Sequence, residues 1–426
     1  MILAPLIAIL WSHPLNPRLF FTPMNVSFRS SPSTVQRAGA VFAALIFLSG
    51  AFGQTDTSPV PKLVIPKFKT SQIVLASKEL KENPYLLAPT LVRVSDREVF
   101  INFKRGSSHG WEKEANCDLI RFDTVDNKII EHRTLGHATD RKFQLTLPLR
   151  LSNGDLHFYT DYQTTGDDGR HYRDGMRFCT STDQGKTTSA WKELGLIDGV
   201  EYGYPFDFIV EGKTVYMLAM SFGYRPGGLW SVAVLKSEDN AQTWRFVRNI
   251  SAELGGIRIN ESGFARLGSD FIIVVRGYAG QRTRIARFDE NFKLKKAADL
   301  TERCPAIRSY IGWPRVFAKD GNIYVHGRNW TEKPVSKLSP RPAHFPGIED
   351  NQQLCLIRVN PESLDVDQVA VLDNEGGLMP VIDGYYGAPY WQERGGEIWF
   401  NTFTYRSIGL NTPDLVRLEY RWSEIR

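Results

Sequence analysis

Four cysteines in 426 residues are few, and none forms a CxxC pair. Cys117, Cys179, Cys304 and Cys355 lie too far apart for a structural zinc site. Their spacing predicts no pairing, so disulfides and buried free thiols both stay open. Also absent are a phosphate-binding loop, a dinucleotide fingerprint and an HExxH motif. The sequence therefore gives no reason to expect a cofactor or a metal. Charged residues make up only 23%, the net charge is +5, and there is neither a basic run nor an acidic tail. That argues against nucleic acid as a partner. The apolar run at 38–49 is shorter than the about 20 residues that cross a bilayer.

What is present is glycine (35), proline (23) and aromatic side chains (12% of the chain). This mixture favours short strands joined by tight turns. The N-terminal residues stand apart. Arg29 and Arg37 precede the apolar run, and Ala51-Phe52-Gly53 ends it with small residues where a signal peptidase cuts. Residues 1–53 therefore read as an extension and secretory signal peptide, with Gln54 as the first mature residue. The expected location is the periplasm or the extracellular space, with no stable membrane insertion after cleavage. A membrane anchor is the alternative. Residues 54–70 read as a linker.

From residue 71 one unit recurs: an apolar strand, a turn rich in Asp, Asn or Gly, then a second apolar strand. The pairs are 89–94 with 99–103, 147–151 with 156–159, 205–210 with 215–218, 263–267 with 271–275, 313–318 with 323–325, and 389–392 with 398–403. The second strands begin at 99, 156, 215, 271, 323 and 398, four similar steps and one long interval. That interval contains 329–352, with Pro334, Pro340, Pro342 and Pro346, and reads as an inserted loop. Polar-ended third strands follow at 119–122, 177–180, 232–236, 285–288, 354–359 and 415–420. Each unit is a four-stranded meander. Six such units in a ring make an all-β, six-bladed propeller over 71–426.

Two segments between third and fourth strands carry a more specific pattern. Ser181-Thr182-Asp183-Gln184-Gly185-Lys186-Thr187 and Ser237-Glu238-Asp239-Asn240-Ala241-Gln242-Thr243-Trp244 resemble the Asp-box of sialidases and related propellers. The chain is thus similar to secreted, bacterial-type members of the sialidase-like superfamily. The resemblance implies an exo-acting glycosidase that hydrolyses a terminal acidic sugar from a glycan or polysaccharide. A non-catalytic glycan-binding propeller and a polysaccharide lyase are the alternatives.

The resemblance also suggests site residues. Glu261 opens the first strand of blade 4 and Arg276 closes the second, as the base and a carboxylate-binding arginine do in sialidases. Tyr386, in Gly384-Tyr385-Tyr386-Gly387, stands where their nucleophilic tyrosine does, with Tyr385 as a neighbouring sugar contact. Proton-donor candidates fall after the second strand of blade 1: His109, Glu112 and Asp118. Arg105, Arg308 and Arg328 are further substrate-binding candidates, with Arg315 near the expected place of the third arginine. At the first arginine's place stands Leu87. Independently of the resemblance, the fifth residue after each second-strand start is Lys104, Asp161, Met220, Arg276, Arg328 and Phe403. Cations converging on one site favour an anionic ligand.

Overall fold

The computed structural model describes residues 60–110, 112–167, 171–221, 231–277, 281–304, 306–307, 310–331, 351–375, 384–407 and 412–426. Six antiparallel sheets form six blades, as the repeat predicts. Blade 1 consists of Tyr85–Arg93, Glu98–Gly106, Asn116–Asp123 and Lys128–Gly136. Blade 2 consists of Lys142–Arg150, Leu156–Thr165, His171–Ser181 and Lys192–Glu193. Val200–Glu211, Thr214–Ser221, Ser231–Ser237 and Arg245–Asn249 make blade 3, and Ile259–Leu267, Asp270–Gly277, Arg284–Phe288 and Leu294–Asp299 make blade 4. Blade 5 contains Ile311–Lys319, Asn322–Thr331, Asn351–Val359 and Val366–Asp373. In blade 6, Ala388–Arg394, Glu397–Arg406 and Asp414–Arg421 are joined by Thr70–Leu75 from the other end of the chain.

That last pairing closes the ring: Ser71 faces Leu418 and Ile73 faces Val416 in antiparallel register. Lys62–Val64 adds a parallel strand to the edge of blade 5. The stretch read as a linker, 54–70, thus contributes Lys62–Val64 and residue 70 to the sheets. Edge strands are protected by such pairing. Among the described residues, no helix is long and apolar enough to cross a membrane. All four cysteines are buried free thiols.

The two resembling segments fold alike. Asp183 accepts from Thr187 N (2.9 Å), Thr187 Oγ1 (2.6 Å) and Ser181 Oγ (2.8 Å). Asp239 does the same with Thr243 and Ser237. At the tip, Gly185 has φ +83° and Ala241 φ +62°. A Cβ on Gly185 would lie 2.4 Å from the Phe100 ring, so only glycine fits there.

One irregularity shapes the centre. The first strands of blades 1 to 5 each slip register near the same end, at Leu87/Thr90, Phe143/Thr146, Gly203/Pro205, Ile259/Ser262 and Gly312/Arg315. Such bulges bend a strand and re-aim side chains. In blades 1, 3 and 5 the residue at the slip precedes a proline and adopts positive φ: Ala88 (+53°), Tyr204 (+48°) and Trp313 (+40°). A left-handed backbone at an L-residue costs about 1–2 kcal/mol. For two bulky aromatics this is strain of the kind that concentrates at functional sites.

Candidate functional site

Bulges in blades 3, 4 and 5, the ends of the second strands of blades 4 and 5, and the segment leading into blade 6 bring groups to one point. Glu261, in the slip of blade 4, is 4% exposed and forms the hub. Its Oε1 accepts the Tyr386 hydroxyl at 2.9 Å and the Tyr204 hydroxyl at 3.1 Å. Its Oε2 accepts the Trp313 backbone N–H at 2.9 Å and faces Nη1 of Arg276 at 2.7 Å. Arg276 also donates to the Tyr386 oxygen at 3.1 Å, and Arg328 does so at 2.9 Å. The Arg328 guanidinium lies over the Tyr386 ring, 4.2 Å from its centroid, and donates to Gly384 O. Arg276 lies over Tyr310 at 4.1 Å. One phenol oxygen thus touches a carboxylate and two guanidiniums.

Local packing makes this possible. A Cβ on Gly312 would come within 2.8 Å of the Tyr386 ring, so glycine there leaves room for the phenol. Trp313 meets the same ring edge-on, 5.5 Å between centroids. Burial drives the Glu261 pKa upward, but Arg276 and Arg328 outweigh it and leave the carboxyl below its ordinary value. Burial pushes the Tyr386 phenol well up, offset only in part by the two arginines. The resting state is therefore a neutral phenol on a carboxylate, with cations placed to stabilise a phenolate.

A second charged group fills the blade 1–2 side. Lys104 donates to His109 O (2.8 Å) and Gln144 Oε1 (2.9 Å) and is ion-paired with Glu112. Lys142 donates to Gly110 O at 2.8 Å. Burial, then the charges of Lys104 and Arg173, lower the Lys142 pKa to about 8. Asp161 is ion-paired with Arg173, whose guanidinium covers the Tyr204 ring at 4.5 Å. Lys104 is the strand partner of Leu87, so a lysine, held by Glu112, lies across from the place of the absent first arginine.

The expected residues therefore divide. Glu261, Arg276, Arg328 and Tyr386 converge. His109 lies half-buried in the blade 1 loop, anchored through its carbonyl by Lys104. Glu112 is a buried ion-pair partner, not a lone carboxyl. Asp118 and Arg105 do not reach the centre. They bind each other at 2.7 Å, with His132 and Thr134 also on Asp118. The reason is position: Asp118 belongs to the third strand, and the pair lines a separate cavity of about 430 Å³ with Leu80, Lys81 and Glu82. Tyr385 points away from Tyr386, its hydroxyl donating to Asp373 at 2.8 Å within the core shared by blades 5 and 6. Arg308 lies outside the described residues. Arg315 lies beyond Trp313, over its indole at 4.1 Å, beside Asp207. There it lines two adjoining cavities of about 260 and 440 Å³ on the other side of that ring.

Sequence reasoning passed over Tyr204, Trp313, Arg173 and Lys142. A signal for two of them was present: Ala88-Pro89, Tyr204-Pro205 and Trp313-Pro314 recur at the same place in blades 1, 3 and 5.

Six four-stranded blades around a bulged axis can be compared with solved structures. A protein of unknown function from Dyadobacter fermentans superposes with a TM-score of 0.63 at 13% identity, covering 84% of this chain and 98% of that one. The intramolecular trans-sialidase of Ruminococcus gnavus, in complex with oseltamivir carboxylate, gives 0.56 at 10% identity, covering 83% and 98%. The chain has a six-bladed β-propeller fold similar to that of sialidases. Trypanosoma rangeli sialidase, bound to 2,3-difluorosialic acid as a covalent intermediate, gives 0.51 at 10% identity. This propeller spans 60% of the trypanosomal chain and is covered over 84% of its own length. At such identities the likeness is one of fold. No family model and no curated protein matches the sequence.

Proposed function

We propose that this propeller is a retaining glycoside hydrolase that removes a terminal acidic sugar from a glycan. One observation carries the reading: the Tyr386 phenol, hydrogen-bonded to Glu261, bears two guanidinium donors on its oxygen. A free phenol, with a pKa near 10, is a poor nucleophile at neutral pH. An adjacent carboxylate base removes that handicap, and tyrosine nucleophiles are a known exception to the two-carboxylate scheme. The covalent intermediate of the trypanosomal sialidase, on the same fold, supports it.

In the first step the Tyr386 oxygen bonds to the anomeric carbon while its proton passes to Oε1 of Glu261. The glycosidic C–O bond breaks, and its electron pair leaves with the aglycone oxygen. His109, in the blade 1 loop, is the candidate that gives this oxygen a proton. Water, deprotonated by the same group, then attacks the anomeric carbon and releases Tyr386, which recovers its proton from Glu261. Arg276 and Arg328 hold the sugar's carboxylate and spread the charge of the departing phenolate. The leader-like residues 1–53 would place this reaction in the periplasm or outside the cell.

The test is a screen of sialyl, uronyl and sulfated glycosides with wild type and Tyr386→Phe. Turnover of an acidic glycoside, abolished in the variant, is the expected result. With the corresponding fluorinated sugar, mass spectrometry should find one adduct, on Tyr386. A Tyr386→Phe protein that keeps full activity overturns the proposal.

A further inference from the structure

We propose that Tyr204 is a positioning residue for the same reaction, fixing Glu261 Oε1 against the Tyr386 phenol, and that Arg173 sets the strength of its grip. The inference rests on the reading of Glu261 as base, but concerns a residue which that reading does not use.

Two phenols converge on one carboxylate oxygen. Tyr386 and Tyr204 both donate to Oε1, whereas Oε2 takes the Trp313 N–H and Arg276. With four donors the carboxylate plane is fixed. Only Tyr386 among them is placed to be the nucleophile; the other three locate the base. Trp313 and Arg276 hold the far oxygen, so Tyr204 alone of these three holds the oxygen that receives the proton.

Two features show that Tyr204 is held for this purpose. Its backbone stands at φ +48° in a bulge that occupies the same place as the one bearing Glu261. Its ring is clasped between the Arg173 guanidinium, 4.5 Å from the centroid, and Phe206, 4.6 Å away. Arg173 is itself anchored by Asp161. A cation on a phenol's face withdraws electron density and makes its O–H a stronger donor. A stronger donor stabilises the Glu261 anion, keeping it ionised and correctly aimed at lower pH.

The other charged and titratable groups facing Glu261 are Arg276 of blade 4, Arg328 of blade 5 and Tyr386 of blade 6. Arg315, beyond Trp313, acts on it electrostatically. Of these, Arg315 also feels Tyr204 electrostatically.

The experiment is the pH profile of kcat/KM for Tyr204→Phe, Arg173→Met and Arg173→Lys, on the best acidic 4-methylumbelliferyl glycoside from the screen. Tyr204→Phe should move the acidic limb upward by about half to one pH unit. It should also lower kcat roughly tenfold with little change in KM. Arg173→Met should move the limb the same way by less, and Arg173→Lys, which retains the cation, should restore it. A merely structural role would lower the melting temperature and leave the limb in place. A folded Tyr204→Phe with an unmoved limb overturns the inference. If that variant does not fold, an unmoved limb in Arg173→Met does so. Failure of the base reading is separate, and shows as an active Tyr386→Phe.

Discussion

The Tyr386 hydroxyl donates to Glu261 Oε1 at 2.9 Å across the axis, from blade 6 to blade 4. Neither residue can be exchanged for a near isostere without a hydrogen-bonding conflict. In Glu261→Gln an amide NH2 must face either Trp313 N–H and Arg276 or the two phenols. Turnover should fall by roughly 10²–10⁴, and stability by about 3–5 kcal/mol, as for a broken buried ion pair. Steady-state kinetics and urea unfolding measure both. An active variant of wild-type stability would be incompatible with Glu261 as the hub.

The same carboxyl sets a pH limit. Its folded pKa lies below the ordinary value of 4.5. Its contribution is therefore complete above about 4.5 and is lost as pH falls through the lower, folded value. A melting curve that does not steepen downward in acid relative to Glu261→Gln would contradict this.

Gly312 tests the packing beneath the phenol. Gly312→Ala adds a methyl 2.8 Å from the Tyr386 ring and 3.1 Å from Arg328 Nε. The ring has Trp313 on another side and cannot retreat freely. Overpacking of this kind costs typically about 1–3 kcal/mol. The larger effect should be on kcat, because a displaced nucleophile loses alignment. Circular dichroism would show the fold retained; unchanged kcat would mean that the phenol is not confined.

Asp207, beyond Trp313, has the opposite electrostatic sign. Burial raises its pKa from 3.8 to about 6, despite Arg315 at 3.8 Å. Its folded value exceeds the unfolded one, so it stabilises the fold relative to higher pH only while protonated. That contribution is full below about 4 and lost as pH rises to about 6. Asp207→Asn should remove this loss, flattening melting temperature against pH between these limits. Parallel profiles for the two proteins would refute the shift.

Much of this was legible in the sequence. The repeat gives all six blades, because strand alternation and turn residues are local signals. The position five residues into each second strand already held Arg276 and Arg328 of the Glu261 hub, and Lys104 and Asp161 of the charged group beside it. Asp118 misled because sequence distance from a strand end does not say which strand of the meander a residue joins, and Arg105 because it follows Lys104 on one strand and so faces the opposite side. Tyr204 and Trp313 were missed because each acts through a bulge, and bulges depend on pairing between strands. The closing strand of blade 6 was invisible for the same reason: 70–75 pairs with a segment more than 300 residues away.

A contrast between two turns gives a simpler test. Gly185→Ala should destabilise the protein by about 1–3 kcal/mol, since both φ and the Phe100 ring oppose a side chain. The equivalent Ala241 already accommodates a methyl at φ +62°. Thermal unfolding of Gly185→Ala at wild-type temperature would show that the turn can relax.

The pairing of Thr70–Leu75 with Asp414–Arg421 has a consequence for biosynthesis. The segment that completes the last blade leaves the ribosome more than 300 residues before its partner. Until Asp414–Arg421 is made, the nascent chain carries a waiting strand and an unfinished sheet. A premature stop anywhere before 414 leaves an open arc with two unsatisfied edges, so truncated products should aggregate rather than accumulate as smaller propellers.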